Sequence, residues 1–381
     1  MIDCSEFIAG LRTSNINLVT GVPDSLLKDI CACFSSQLAP EQHIIATNEG
    51  SAVGLAIGHY LSTANPALVY MQNSGLGNIV NPISSLADPL VYAIPMVLMV
   101  GWRGEMQDDQ SQISDEPQHL KQGRITLTQL DTLGIPYTVV HANTDAIASV
   151  LQKVASDAIE RGGPAALVVR KNTFAPFDYP SQAQTTAELS REEAIRQIIS
   201  VLPDDACIVS TTGMASRELF EIRANTKAGH QRDFLTVGGM GHASQIAAGI
   251  AFSQPHRRVV CIDGDGALLM HSGSLAISAD CPNLIHIVLN NAAHDSVGGQ
   301  PTKGNTLRFD KIAAAFGYRH TDQAIDSIEL LEKLNHLLKL NGSIFLEISC
   351  RRGARKDLGR PDRTPTQNKS DFMKFLRIEN V

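Results

Sequence analysis

Between Cys261 and Gln300 the chain runs through an apolar stretch, Gly264-Asp265-Gly266, a helix-length segment, a second apolar stretch from Ile285 to Leu289, and then Asn290-Asn291. Two glycines around an acid at a strand end let the backbone approach a phosphate while the carboxylate holds a hard cation. The helix that opens at Gly266 and Ala267 adds backbone N–H groups aimed at the same anion. An amide oxygen from Asn291 at the end of the next strand, with the turn carbonyl of Ala293, completes an oxygen-rich Mg²⁺ site. Gly-Asp-Gly alone is more often a bare turn, and Asn-Asn alone carries little. Their separation carries more, because the 23 residues 267–289 leave room for one helix and one strand. The pattern predicts a diphosphate bound through its metal, with Asp265, Asn291 and Ala293 as metal ligands and Gly264, Gly266 and Ala267 around the phosphates.

This segment resembles the cofactor signature of the thiamine diphosphate-dependent enzymes. The resemblance implies a carboxylate in a different domain, on an apolar-walled strand-to-helix turn, that protonates the cofactor's aminopyrimidine ring. The turn Ala46-Thr47-Asn48-Glu49-Gly50-Ser51-Ala52 supplies Glu49 about 215 residues earlier in the chain. Read by itself, Glu49 is an acid favourable to a helix N-terminus and nothing more. The resemblance makes it the activating, catalytic residue. Met240, in Gly238-Gly239-Met240-Gly241, matches the bulky residue that bends the cofactor, with Gly239 beside it; otherwise it is a gap-filling core methionine. The turn Ser210-Thr211-Thr212-Gly213 resembles the second diphosphate-contacting loop, which assigns Thr211, Thr212 and Gly213 to the cofactor. In such an enzyme the cofactor serves as the electron sink of a decarboxylation.

The elements that must position these residues are strands. In the first half, apolar runs at Asn17–Val22, His43–Thr47, Ala67–Met71, Met96–Val100, Tyr137–His141 and Ala165–Arg170 alternate with small-residue helical stretches. That alternation argues a parallel sheet with crossover helices. Residues 174–189 shift to a Pro/Ser/Gln/Thr linker, and Ser190 and Glu193 then stand at capping-box spacing before an apolar helix face. Strands near Ala206–Ser210, Val259–Asp263, Ile285–Asn290 and Ser343–Ser349 repeat the pattern. The expected fold class is α/β, with two thiamine diphosphate-binding modules, each a mostly parallel sheet flanked by helices. Residues 1–173 are expected to bind the pyrimidine and 190–381 the diphosphate. The small-residue helices after Glu49 and after Met240 look weakly alike, hinting at two related modules.

Composition bounds the rest. With 381 residues, 43% hydrophobic and 19% charged, the chain can bury two cores. The longest apolar run, Leu90 to Trp102, is broken by Pro95 and falls short of the roughly 20 residues that cross a bilayer, so it is expected as a buried strand. The start Met1-Ile2-Asp3 shows no basic region before an apolar stretch, and the cytoplasm is the expected compartment. Seven scattered cysteines without a CxxC pair indicate neither a disulfide framework nor a zinc site. A net charge of -7 gives no global attraction for nucleic acid or an anionic membrane, so neither is an expected partner.

Several longer strings narrow the resemblance to the short decarboxylases of phosphonopyruvate and sulfopyruvate. They are Gly21-Val22-Pro23-Asp24-Ser25-Leu26-Leu27-Lys28, Gly101-Trp102-Arg103-Gly104-Glu105, Asp115-Glu116-Pro117-Gln118-His119, Ala293-His294-Asp295-Ser296 with Gly298-Gly299-Gln300-Pro301-Thr302, and Arg355-Lys356-Asp357-Leu358-Gly359-Arg360-Pro361. One departure is that residues 106–114 look longer and more polar than the family's stretch there. The resemblance implies a small dianionic 2-oxo acid as substrate, 3-phosphonopyruvate going to phosphonoacetaldehyde and CO₂. Sulfopyruvate decarboxylation and a thiamine diphosphate-dependent carboligase are the alternatives. Arg355, Lys356 and Arg360 follow the last strand, where α/β ligands sit, and arginine suits phosphonate oxygens; a solvated basic surface is the plain alternative. Ser25 lies where related decarboxylases place a polar substrate contact. Gln72 and Asn73 on a Gly-rich turn could face the same cavity, and His294 is the acid/base candidate, with Asp24 and His119 behind it. The family also implies a homo-oligomer with active sites at a dimer interface.

Overall fold

The computed structural model describes residues 1–177 and 187–377. The chain forms two compact units that divide between residues 181 and 182, and most of the expected linker, residues 178–186, lies outside the described residues. The first unit holds β1 (Val19–Gly21), β2 (His43–Ile45), β3 (Leu68–Gln72), β4 (Met96–Gly101), β5 (Tyr137–Val140) and β6 (Pro164–Val169). They form one parallel sheet in the order β2-β1-β3-β4-β6-β5. Every residue of β4 and β6 is buried. Helices cover both faces of a parallel sheet, so its central strands read as continuous apolar runs. One face packs under Phe7, Phe34 and Leu151, the other under Val53, Ile79 and Leu130.

The second unit holds β7 (Cys207–Ser210), β8 (Asp233–Leu235), β9 (Val259–Gly264), β10 (Leu284–Asn290), β11 (His320–Ala324) and β12 (Ile344–Ser349). Its parallel sheet has the order β11-β12-β10-β9-β7-β8. Read from the other edge this is β8-β7-β9-β10-β12-β11, the first unit's order with six added to each number. Both sheets are thus wholly parallel, and the two units share one topology. The faint likeness of the helices after Glu49 and Met240 has a structural counterpart, since they follow the corresponding strands β2 and β8.

The ends of the elements explain where chemistry can sit. Asn48 caps the helix Glu49–Thr63, its side chain accepting the Ser51 N–H at 2.8 Å, so the chain leaves β2 and turns sharply at Glu49. The Ser190–Glu193 capping box forms at the start of the helix Arg191–Val201. The Leu90–Trp102 run is not one buried strand. Pro95 lacks a ladder donor, β4 begins only at Met96, and Leu90 is 95% exposed with Val91 and Tyr92 also outside. All seven cysteines are free and buried, and among the described residues no helix is long and apolar enough to cross a membrane.

Candidate active site

In the second unit, the carboxyl ends of the neighbouring strands β9 and β10 bring Asp265 and Asn291 together. Asp265 is 2% exposed, and its carboxylate takes the N–H groups of Gly266 and Asn291 and the hydroxyl of Thr302. Burial outweighs these donors and pushes the carboxyl up to about 7. Asn291, buried beside it, gives its Nδ2 to Asp295 at 2.6 Å, and its Oδ1 accepts the Ala293 N–H at 3.1 Å. Ala293 and Pro301 pair as an isolated bridge, which closes residues 293–301 into a tight loop over the strand ends. Oxygens are therefore what this corner offers a ligand. The separate trio Cys261, Asp263 and His286 lies inside the sheet and is a softer set than Mg²⁺ takes.

Gly266 is closely walled by side chains. A Cβ there would lie 3.0 Å from the His294 ring and 3.4 Å from the Met240 methyl, so Asp265, His294 and Met240 converge on one corner. Met240 sits between Gly239 and Gly241, both at positive φ (66° and 89°), a tight turn that a larger run of residues would strain. Gly213, at φ 93°, ends the Ser210–Gly213 turn, and a Cβ on it would meet Ser296 Oγ at 2.6 Å. Thr211 hydrogen-bonds through its N–H to Ile262 on β9, and Thr212 follows it on the same turn. Burial pushes His294 down to about 4, so its imidazole is neutral at ordinary pH.

In the first unit, the carboxyl ends of β2, β1, β3 and β4, four consecutive strands of the sheet, carry Glu49, Asp24 with Ser25, Gln72 with Asn73, and Arg103. Glu49 is 5% exposed; its Oε2 accepts from Asn78 Nδ2 at 2.8 Å, and a Cβ on Gly75 would lie 2.6 Å from Oε1. Asp24 is fully buried, accepts from Gln72 Nε2 at 2.7 Å, and is raised chiefly by desolvation against the pull of Gln72 and Arg103. Ser25 Oγ accepts from Arg103 Nη1 at 2.8 Å, while Arg103 Nε and Nη2 grip both oxygens of Asp115. Asn73 donates to the Arg103 carbonyl and to Thr126, both at 2.9 Å, so it holds the Arg103 backbone in place. Arg103 lines a cavity of about 230 Å³ with Trp102, Asp115 and Lys171.

The basic run after β12 behaves differently. Arg355 is engaged by three carboxylates, Glu192, Glu221 and Asp357, while Lys356 and Arg360 are exposed. It is Arg352 that reaches the metal corner, donating to the Ala292 carbonyl at 3.1 Å. Residues that the sequence reading did not single out for the site include Asn78, Arg103, Asp115, Arg191, Asp295 and Thr302. Arg103, Asp115, Asp295 and Thr302 stood inside recognised strings, and only contacts formed by folding assign them partners. The polar stretch 106–114 forms a hairpin-like loop, with Met106 bridged to Gln112 and Gln112 Nε2 donating to the Gly104 and Leu120 carbonyls.

Residues 5–125 match the family model described as thiamine pyrophosphate enzyme, N-terminal TPP binding domain, and residues 211–348 match the corresponding C-terminal TPP binding domain. The chain is 33% identical to a phosphonopyruvate decarboxylase of Streptomyces viridochromogenes, over 99% of this chain and 95% of the relative. It is 32% identical to one of Streptomyces hygroscopicus over 98% and 94%. A sulfopyruvate decarboxylase of Methanosarcina acetivorans is 26% identical over 90% of each chain. The cofactor is therefore thiamine diphosphate, with Mg²⁺ as its metal. The donor set fits that pair: a buried carboxylate at Asp265, an amide oxygen at Asn291 whose nitrogen is already taken, and the Ala293 turn carbonyl suit a hard cation. The chain belongs to the thiamine pyrophosphate enzyme family and is a thiamine diphosphate-dependent 2-oxo acid decarboxylase.

Proposed function

We propose that the chain decarboxylates 3-phosphonopyruvate to phosphonoacetaldehyde and CO₂. The observation that carries this reading is the match, along nearly the whole chain and at a third identity, to two relatives named for that substrate. Sulfopyruvate is the second reading, favoured by the Methanosarcina relative at lower identity. Residues 1–173 would serve as the pyrimidine-binding domain and 190–381 as the diphosphate-binding domain.

In this account Asp265, Asn291 and the Ala293 carbonyl hold the metal. Gly264, Gly266, Ala267, Thr211, Thr212 and Gly213 line the diphosphate, and Gly239 and Met240 support the ring system. When bound, thiamine diphosphate supplies the carbon nucleophile and the sink for the electron pair left by CO₂. Glu49 exchanges the proton that activates it: Asn78 occupies Oε2, which leaves Oε1 for proton transfer. The neutral His294, whose ring lies against Gly266, would accept or return a proton at a ring nitrogen. Ser25 and Gln72 hold the substrate, and Arg103, bound to Ser25 and paired with Asp115, is the first-domain cation that would meet its second anionic group by exchanging part of that pairing. Arg355, Lys356 and Arg360 remain candidates for the same group from the second domain, and Asn73 orients Arg103.

The reading further places the enzyme in the cytoplasm as a homo-oligomer with its active sites at a dimer interface, which light scattering of the purified protein tests. The reaction is tested by following 3-phosphonopyruvate in a ³¹P NMR tube with and without thiamine diphosphate and Mg²⁺. Growth of a phosphonoacetaldehyde resonance only in the complete mixture supports the assignment. A product retaining the acetaldehyde unit on a second carbonyl would instead make the chain a carboligase.

A further inference from the structure

The loop that presents Asn291 is fastened from outside by groups to which the proposed reaction gives no role. Asp295 Oδ2 accepts three donors: Asn291 Nδ2 at 2.6 Å, the Gly353 N–H at 2.8 Å and Arg191 Nη1 at 3.0 Å. Arg191 is 7% exposed and grips both oxygens of Glu218, through Nε at 2.8 Å and Nη2 at 2.9 Å. Arg352 adds its bond to the Ala292 carbonyl. The chain thus runs from the buried Glu218 through Arg191 and Asp295 to the amide of Asn291.

A carboxamide has nearly the same shape at its two ends, so its partners alone decide which end faces a site. A carboxylate only accepts. Asp295 therefore demands the NH₂ end of Asn291, and the oxygen is left on the side of the Ala293 turn, where it accepts the Ala293 N–H at 3.1 Å. We infer that Asp295, locked by Arg191 and Glu218, is the positioning residue that fixes the amide of Asn291 oxygen-first toward the cation. This rests on the reading of Asn291 as a metal ligand. Groups that orient a ligand are commonly worth 10–100-fold in metal affinity without touching the ion.

The test is Mn²⁺ binding, followed by electron paramagnetic resonance at saturating thiamine diphosphate, in the full chain and in Asp295→Asn. Asparagine keeps the shape of Asp295 but can offer its own NH₂ to Asn291, which removes the carboxylate that holds the amide and leaves only the Ala293 N–H against its turning over. The expected result is a Kd for Mn²⁺ raised about 10–100-fold, with kcat at saturating Mn²⁺ close to that of the parent chain. Asp295→Ser, which also lacks the carboxylate and relieves any crowding, is expected to weaken binding similarly and carries the test if Asp295→Asn does not fold. An unchanged Kd in a folded variant overturns the inference. So does a loss of kcat that saturating Mn²⁺ leaves in place, because that would make Asp295 part of the chemistry. If the parent chain itself shows no thiamine diphosphate-dependent Mn²⁺ binding, the reading of the metal corner fails first.

Discussion

Lowering the pH should loosen the metal, and the size of the effect follows from Asp265. In the metal-free chain its carboxyl is pushed up to about 7, because burial outweighs the hydroxyl of Thr302 and the three main-chain N–H groups around it. Only the deprotonated carboxylate ligates, so protons compete with the cation. For one such ligand the apparent Kd is the intrinsic value multiplied by 1 + 10^(pKa − pH). This gives about 11-fold weakening at pH 6, about 2-fold at pH 7 and about 1.1-fold at pH 8. The sign is fixed: a raised carboxyl holds its proton at the low end of this range and yields it to the metal, so affinity rises with pH and levels off above 8. Calorimetric titration of Mg²⁺ at saturating thiamine diphosphate, repeated in buffers of different ionisation enthalpy, reads both quantities. Protons released by the protein-free cofactor mixture are subtracted. About 0.9 proton should leave the protein per metal at pH 6 and about 0.1 at pH 8. A flat affinity with no proton release across this range would refute the assignment of Asp265 as a buried metal ligand.

Replacing Glu49 with glutamine keeps the Asn78 contact region filled but removes the exchangeable proton, so kcat at saturating cofactor should fall on the order of 10²–10⁴-fold with the circular dichroism unchanged. Gly75→Ala is conformationally free, since Gly75 has φ -71°, yet its Cβ would press on Glu49 Oε1 from 2.6 Å. A displaced Glu49 should cost roughly 10²-fold in kcat while thermal stability moves little, as activity and melting measurements on the same sample would check. Because His294 is pushed down to about 4, the pH profile of kcat should have no limb near 6.5 that belongs to it. A limb there in the parent chain that disappears in His294→Asn would contradict this.

Much of the architecture was readable because central parallel strands bury both faces. Ten of the twelve strands announce themselves as apolar runs, and the two that do not, β8 and β11, lie at the edges of the second sheet. β8 is the three-residue Asp233–Leu235, and β11 reads His-Thr-Asp-Gln-Ala with its first four residues half-buried. An edge strand can form with few apolar side chains, as β8 and β11 do, whereas β2 and β5 at the edges of the first sheet keep enough of them to be read. The reverse error occurred at Leu90–Tyr92, where apolar residues sit outside because Pro95 delays the strand. Exposed apolar residues are ordinary, and composition alone does not tell them from core.

The site was legible where chemistry demands particular residues at strand ends. Asp265 with Asn291 was read from local spacing, whereas Glu49, by itself only an acid at a helix start, was read from the family resemblance. The shared strand order of the two units explains why: the ends of β1 to β4 carry Ser25, Glu49, Gln72 and Arg103, and the ends of β7 to β10 carry Thr211, Met240, Asp265 and Asn291. Ligands of open parallel sheets gather at those ends. The supports were not legible. Asn78 lies 29 residues from Glu49, Asp115 meets Arg103 across 12 residues, and Arg191 meets Asp295 across 104. Such pairings are set by tertiary packing, and single-sequence spacing holds no record of them. For the same reason the basic run after β12 looked more available than it is, with Arg355 already engaged by Glu192, Glu221 and Asp357.

The central claim is tested most directly by kcat/KM for CO₂ release from 3-phosphonopyruvate and from sulfopyruvate, measured in parallel with and without thiamine diphosphate and Mg²⁺. The account predicts release that requires both cofactors and favours the phosphonate. Cofactor-dependent preference for sulfopyruvate would contradict the substrate assignment, and CO₂ release from neither substrate would contradict the proposed reaction itself.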